Sequence, residues 1–234
     1  MQQAFDYESN ELETLSGTIH YQQAIMRFFA PHIHGHVLEV GAGIGVYSDY
    51  LLPLSDHLSL IEPDAKQAKR LAEHVGALDS VTIHATTIET YIATAPAKID
   101  SVVMINVLEH IQDDIKILQH LYAQLKPGGA LLIFVPALQS LFSDLDRKFG
   151  HYRRYSKHDL VNKVQIAGFH MEQVRWFDPT GILPWYLLHT LGKKTEISES
   201  MAKIYDQGVI SWMGPLQYHL PMPIGKNLLL IARK

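Results

Sequence analysis

The sequence predicts an α/β protein: a doubly wound, seven-stranded sheet with helices on both faces and a helical lid inserted before the last strand. Three observations predict it. Seven short apolar runs, rich in β-branched residues, recur along the chain. Segments of helical periodicity and short linkers separate the first five runs, the pattern of parallel strands with crossover helices. A long, largely apolar stretch, about residues 178–226, then delays the final run and exceeds any hairpin.

At 234 residues the chain can bury a full core, and one domain with an elaboration is expected. The division is an N-terminal leader and helix over 1–34, then a single domain over 35–234 carrying the insertion. A net charge of −4 offers no general attraction for nucleic acid or anionic membrane. Zero cysteines exclude disulfides, thiolate metal sites and a cysteine nucleophile. Met1 to Leu15 is polar and acidic, unlike a signal peptide, and no uncharged run reaches a membrane span. The expectation is a cytoplasmic protein, with a homodimer as one option.

Residues 1–15 read as a leader with scattered apolar anchors. Thr18 to Ala30 predicts an amphipathic helix whose apolar face carries Ile19, Ala24, Ile25, Phe28 and Phe29, ended by Pro31. His32, His34 and His36 alternate just before the first strand. They read as a solvated connector, because no carboxylate or cysteine stands beside them to complete a metal site.

Strand one, about 36–41, runs Val37-Leu38-Glu39-Val40 into Gly41-Ala42-Gly43-Ile44-Gly45, and Val46 to Leu52 reads as helix. Glycines between a strand and a helix let bare backbone N–H groups approach a ligand. The dinucleotide fingerprint needs a third glycine where Val46 stands, and Glu39 is no part of it. Strand two, Leu58 to Ile61, ends at Glu62, 21 residues after Gly41, close to where an acid meets a ribose in mononucleotide-binding units. A carboxylate accepts from both hydroxyls of a diol. Asp64 reads as the N-cap of a helix through Val75.

Strand three is Val81 to His84, and strand four, Ile99 to Ile105, runs into Asn106-Val107-Leu108-Glu109-His110-Ile111. Ile115 to Leu125 is helical, stopped by Lys126-Pro127-Gly128-Gly129 before strand five, Ala130 to Val135. Pro136 to Gly150 predicts a loop or short helix. Ser156-x-x-Asp159 reads as a capping box for a helix through Ala167. Phe169 to Phe177 is strand six, and Asn227 to Ala232 is the last strand. Between them, Leu183 to Leu191 and Met201 to Trp212 suggest two helices with apolar faces, and Pro215, Pro221 and Pro223 punctuate the return.

Three of these segments carry a resemblance. Glu39-Val-Gly-Ala-Gly-Ile-Gly45, Asn106-Val-Leu-Glu-His110 and Leu125-Lys-Pro-Gly-Gly129 are similar to motifs of the class I S-adenosylmethionine-dependent methyltransferases, of the bacterial small-molecule and lipid type. The likeness covers about 35–177 well and 227–234 loosely. It implies that the last strand inserts antiparallel, and that S-adenosyl-L-methionine is the cofactor. Its cofactor residues would be Tyr21, Glu39, Gly41, Ala42, Gly43, Gly45, Glu62, Pro63, Asn106, Val107 and His110, with Tyr21 closing over the methionine end. The family commonly places Gly-Asp after strand three, the Asp facing adenine. Thr86-Thr87 stand there instead, leaving backbone near Thr87 and Ile88 to read the base.

His151, in the loop after strand five, is the candidate general base, since imidazole titrates near neutrality. Arg153 and Arg154, between Tyr152 and Tyr155, offer a grip for an anionic group. Tyr152, Arg153, Tyr155 and, from the insertion, Tyr186 are the candidate acceptor residues. No paired carboxylates suit a divalent ion, so no metal is expected. The function implied is methyl transfer to an O or N atom of a small hydrophobic or amphipathic acceptor, such as a lipid, quinone or secondary metabolite. The alternatives are a nicotinamide-dependent oxidoreductase and a non-catalytic cofactor-binding module.

Overall fold

The computed structural model describes residues 17–94 and 98–234, so the expected leader over 1–15 lies outside the described residues. Helix α1 (Ile19–Phe29) precedes strand β1 (His36–Val40). There follow α2 (Ser48–Leu51), β2 (His57–Ile61), α3 (Ala65–Val75), β3 (Val81–His84), α4 (Ile88–Thr94) and β4 (Ile99–Ile105). The second half holds α5 (Asp114–Gln124), β5 (Leu125–Pro136), α6 (Asp144–Lys148), α7 (Lys157–Ile166), β6 (His170–Phe177), α8 (Ile182–Trp185), α9 (Glu199–Tyr205), α10 (Ser211–His219) and β7 (Asn227–Arg233).

All seven strands join one sheet in the order β3-β2-β1-β4-β5-β7-β6, with β7 antiparallel to both neighbours. The apolar runs look continuous because both faces are covered. Along β5, Leu131, Ile133 and Val135 enter one core, while Ala130, Leu132 and Phe134 enter the other. Strand β7 divides likewise, Leu228 and Leu230 from Leu229 and Ile231. Side chains of α4, α5 and α7 fill the first core, and those of α1 and α3 the second.

Several boundaries differ from expectation. The run Leu125 to Gly129 continues β5 instead of standing as a turn before it. Leu125 pairs with Ile99, and Gly128 N donates to the carbonyl of Lys234, so long-range pairing overrides the local stop signal. The helix expected over Val46 to Leu52 shrinks to α2 plus a 3₁₀ turn at Leu52–Leu54, where Pro53 forbids a regular helix. Ile19 faces outward, and Gln22 and Met26 join the buried face of α1 instead. Asp64 caps α3 as expected, accepting from Lys66 N and Gln67 N. Ser156 accepts from Asp159 N at the start of α7.

The insertion is helical as expected. Wide π-type turns extend α8 (Tyr186–Leu191) and α9 (Asp206–Ile210), the latter leading straight into α10. Pro215, expected in the return, lies inside α10. Its neighbour Gly214 lets α10 pack tightly on α1, for a Cβ there would stand 3.0 Å from that of Ala24. Asp206 seals the same contact. Its carboxylate accepts from His20 N and Tyr21 N at 3.1 and 2.8 Å, satisfying orphan donors of α1 that no local side chain caps. Among the described residues no helix is long and apolar enough to cross a membrane.

Candidate active site

Strand β1 hands the chain to β2 on one side, and β4 hands it to β5 on the other. The sheet's switch point therefore lies at the carboxyl ends of β1 and β4, where ligands bind in open α/β sheets. A cavity of about 810 Å³ opens there. Gly41, Ala42 and Gly43 form one wall, with Gly41 N and Ala42 N anchored on the carbonyl of Ile61 at 2.8 and 2.9 Å. Gly41 has φ +72°, and a Cβ on it would lie 2.5 Å from Val107 Cγ2. Only glycine fits that conformation and that gap.

Glu62 lines the same wall. Its Oε2 accepts from Gly43 N at 2.8 Å and its Oε1 from Asp64 N at 2.9 Å, which leaves each oxygen a further lone pair. Burial raises its pKa, against the lowering effect of those two backbone donors. Pro63, Thr87, Ile88, Asn106, Val107, His110 and Tyr21 line the cavity too. Asn106 adopts φ +53°, a left-handed turn that swings the chain out of β4 around the switch point. Tyr21 enters from α1, its ring edge-on to Phe134 and Phe177, its hydroxyl bonded to Asn227 and Asp178.

Two members of the expected cofactor set stand behind the wall. Glu39 is buried, takes a 2.6 Å hydrogen bond from Ser48 Oγ, and is pushed up to about 8 by that burial. It braces the turn from beneath. Gly45, at φ +95°, faces α3, where a Cβ would meet His74 and Leu71 at 2.9 and 3.0 Å. Its missing side chain leaves room for α3 to pack on the turn.

His151 lines the same cavity, beside His110. Its Nδ1 lies 3.0 Å from Asp146 Oδ1, and its ring stands edge-on to His110 at 4.6 Å. Asp146 is fully buried. Burial alone would raise its pKa, but the bonds from His151 and Arg154 outweigh that and hold it near 2. Arg154 donates from Nε and Nη2 to the two oxygens of Asp146, at 2.8 and 3.2 Å. The guanidinium also lies over the Trp185 ring, 4.5 Å from its centroid. Burial and His151 keep His110 neutral, with its pKa near 3.

All four expected acceptor residues fall outside this cavity. Tyr155 is fully buried in the core beneath the sheet, its hydroxyl donating to Asp114 and to the carbonyl of Leu108. Arg153 pairs with that same Asp114 at 2.7 Å. Tyr152 and Tyr186 turn outward to solvent. Their neighbours face inward in their place: Arg154 for Arg153, and Trp185 for Tyr186. The three alternating histidines bind separate partners, His32 with Glu172 and Arg233, His34 through its backbone N–H with Ser101, and His36 with Ser59, and do not converge.

Asp146, Glu109 and Lys226 were not foreseen. Ser143-x-x-Asp146 is a complete capping box, so its pattern reads as a helix start, yet its carboxylate also holds His151. Asp178, at φ +58° and fully buried, gathers Thr180, Gly181 N, Tyr205, Tyr21 and Lys226, tying the insertion to the sheet. Nothing local in the sequence signals that junction.

Known proteins share this architecture. A methyltransferase from Archaeoglobus fulgidus, described as SAM dependent, superposes with a TM-score of 0.61 at 17% identity, covering 91% of this chain and 92% of that one. The N-methyltransferase NodS from Bradyrhizobium japonicum, solved with S-adenosyl-L-homocysteine, gives 0.59 at 14%, covering 92% and 85%. In sequence, a ubiquinone biosynthesis O-methyltransferase of Xanthomonas euvesicatoria is 26% identical over 179 residues, 69% of this chain and 72% of that protein. A family model described as a methyltransferase domain matches residues 18–174, from the helix before the glycine turn to β6. A match over that much of the chain places it in the methyltransferase-domain family, as an enzyme that uses S-adenosyl-L-methionine.

Proposed function

We propose that the chain methylates an oxygen or nitrogen of a small hydrophobic or amphipathic acceptor, with His151 taking the acceptor's proton. The observation that carries this reading is the shared cavity: the glycine turn, Glu62 and His151, itself held by Asp146, line one space. Bound S-adenosyl-L-methionine supplies a methyl group on a sulfonium, already a good leaving group. The chain's own task is to position, to exclude water and to remove a proton.

Glu62 suits the ribose diol through its remaining lone pairs, and the Gly41–Gly43 backbone suits the close approach of the methionine portion. Tyr21, Asn106, Val107 and His110 would border the sulfonium side, with Pro63, Thr87 and Ile88 toward the base. Because an ionised carboxylate only accepts, Asp146 places the hydrogen of His151 on Nδ1 and leaves the Nε2 lone pair for the acceptor. Pro184, Trp185, Leu188, Ile197, Met201 and Val209 give the insertion's side of the cavity an apolar surface. That surface and the quinone named for the relative both favour an apolar acceptor, over which residues 178–226 would close as a lid.

The test is transfer of a labelled methyl group to alkyl-substituted phenols, catechols and amines. With an acceptor in hand, His151→Ala should lower kcat by roughly 10²–10⁴-fold while S-adenosylhomocysteine affinity holds. Unchanged kcat would make His151 structural.

A further inference from the structure

Two buried ion pairs border the cavity, and both show it their cation. Arg154 and Lys226 line the space, whereas their carboxylates, Asp146 and Asp178, are fully buried and do not. Both cations lie over the Trp185 ring, 4.5 and 5.2 Å from its centroid. The carboxylates that do line the cavity are placed differently. Glu62 belongs to the glycine turn, Asp206 is spent on the N–H groups of α1, and Glu89 and Glu196 are exposed.

Lys226 is the less committed of the two cations. Arg154 donates to both oxygens of Asp146 and to the carbonyl of Ala137. Lys226 Nζ meets Asp178 Oδ2 at 3.2 Å, and no other acceptor among the described residues receives its N–H donors. Asp178 scarcely depends on that contact. The hydroxyls of Thr180, Tyr205 and Tyr21 and the N–H of Gly181 already donate to its oxygens, filling about the four sites a carboxylate offers. An ammonium carries three donors, so Lys226 has two to spare in a side chain only 18% exposed. Mostly buried donors are costly unless an acceptor meets them.

We propose that the acceptor carries a carboxylate, and that Lys226 holds it beside the Trp185 ring and so selects acidic acceptors. This rests on the cavity taking a small amphipathic acceptor, and not on His151 as the base. The two oxygens of a carboxylate suit the two spare donors of Lys226, and a bond from ammonium to an ionised oxygen is the stronger, charge-assisted kind. A neutral oxygen would meet the donors without answering the positive face that Lys226 and Arg154 present together. The apolar body of the acceptor would then lie against Pro184, Leu188 and Met201.

The test uses the full chain saturated with S-adenosylhomocysteine and a matched pair of probes, para-hexylbenzoate and para-hexylbenzamide, titrated by calorimetry at neutral pH. Wild type should bind the benzoate about 10–100-fold more tightly than the amide, the worth of one hydrogen bond to a charged group. Lys226→Met should bring the benzoate down to the level of the amide, and Lys226→Arg should keep a preference for the acid. Should Lys226→Met fail to fold, the wild-type comparison and Lys226→Arg decide. A wild type that binds both probes alike, or neither, overturns the proposal, as does a Lys226→Met protein that loses both in equal proportion. Methyl transfer separates this inference from the reading beneath it. If neutral alkylcatechols are methylated as fast as their ring-carboxylated counterparts, acid selection falls and methyl transfer stands. If the benzoate preference appears while neither catechol is methylated, the anion site stands and the transfer reading falls.

Discussion

Around the glycine turn the cavity is shaped mainly by backbone held on one carboxylate, whereas around His151 it is shaped by a network of buried charges. At the first, Gly41 N, Ala42 N and Gly43 N bond to Ile61 and Glu62, all within 22 residues of sequence. At the second, Asp146, His151, Arg154 and Glu109 come from two separate segments of the chain, and Trp185, which closes over Arg154, comes from a third. A backbone cradle tolerates little change in conformation but carries little stored electrostatic energy. A buried ionic network fails differently: removing one partner leaves an uncompensated buried charge, which is strongly destabilising.

The sharpest way to break this contrast is Gly43→Val. Gly43 sits at φ +58°, where a β-branched residue is strained, and its N–H must meet Glu62. Binding of S-adenosylhomocysteine should fall below detection in calorimetry, while circular dichroism still shows a folded sheet. Next in size is Arg154→Ala, in the His151 region. It strips the buried Asp146 carboxylate of its cation and should cost about 3–5 kcal/mol in urea unfolding. A loss under 1 kcal/mol would mean that the network is not what organises that region.

A third change probes Glu39, a buried acid beneath the cradle. Glu39 titrates near 8 in the folded protein against an ordinary 4.5, so folding holds its proton. Stability from this group is fully present below pH 4.5 and is lost as pH rises through 8. Glu39→Gln never ionises, so it should gain on wild type by roughly 1–4 kcal/mol between pH 4 and pH 9. A pH-independent difference would show that Glu39 is better solvated than its burial suggests. The smallest effect is in hydrogen exchange. The glycine turn should slow with cofactor alone, and residues 178–226 further only when an acceptor is also bound. Equal exchange in the insertion with and without ligands would make it a fixed structural element.

The contrast also explains how much the sequence revealed. The cradle was legible because its parts are local: a glycine turn, an acid 21 residues on, and a strand ending at Asn106. Strands β3 and β4 fell where their apolar runs placed them. The family resemblance pointed to methyl transfer, and the family match bears that out against hydride transfer. The His151 region was not legible in the same way. In His151-Tyr152-Arg153-Arg154-Tyr155 every residue has plausible chemistry, and only the tertiary fold sorts them. Tyr155 N bonds to Pro136 and Leu138 N to Tyr155, which pins the segment to β5's end and turns Arg153 and Tyr155 toward Asp114. Arg154 then faces the cavity. Asp146 was hidden by its second function as a helix cap, and Lys226 by its distance in sequence from everything it touches.

The central claim is a division of labour between the two regions, and one paired measurement tests it most directly. Glu62→Ala and His151→Gln are compared with wild type for S-adenosylhomocysteine affinity and for kcat at saturating cofactor. Glu62→Ala should weaken binding by about 1–3 kcal/mol with kcat nearly intact, since it leaves buried partners unsatisfied. His151→Gln should leave affinity unchanged and lower kcat by roughly 10²–10⁴-fold, with loss of the acidic limb of the pH–rate profile. Wild-type affinity in Glu62→Ala, or wild-type kcat and the same acidic limb in His151→Gln, would contradict the account.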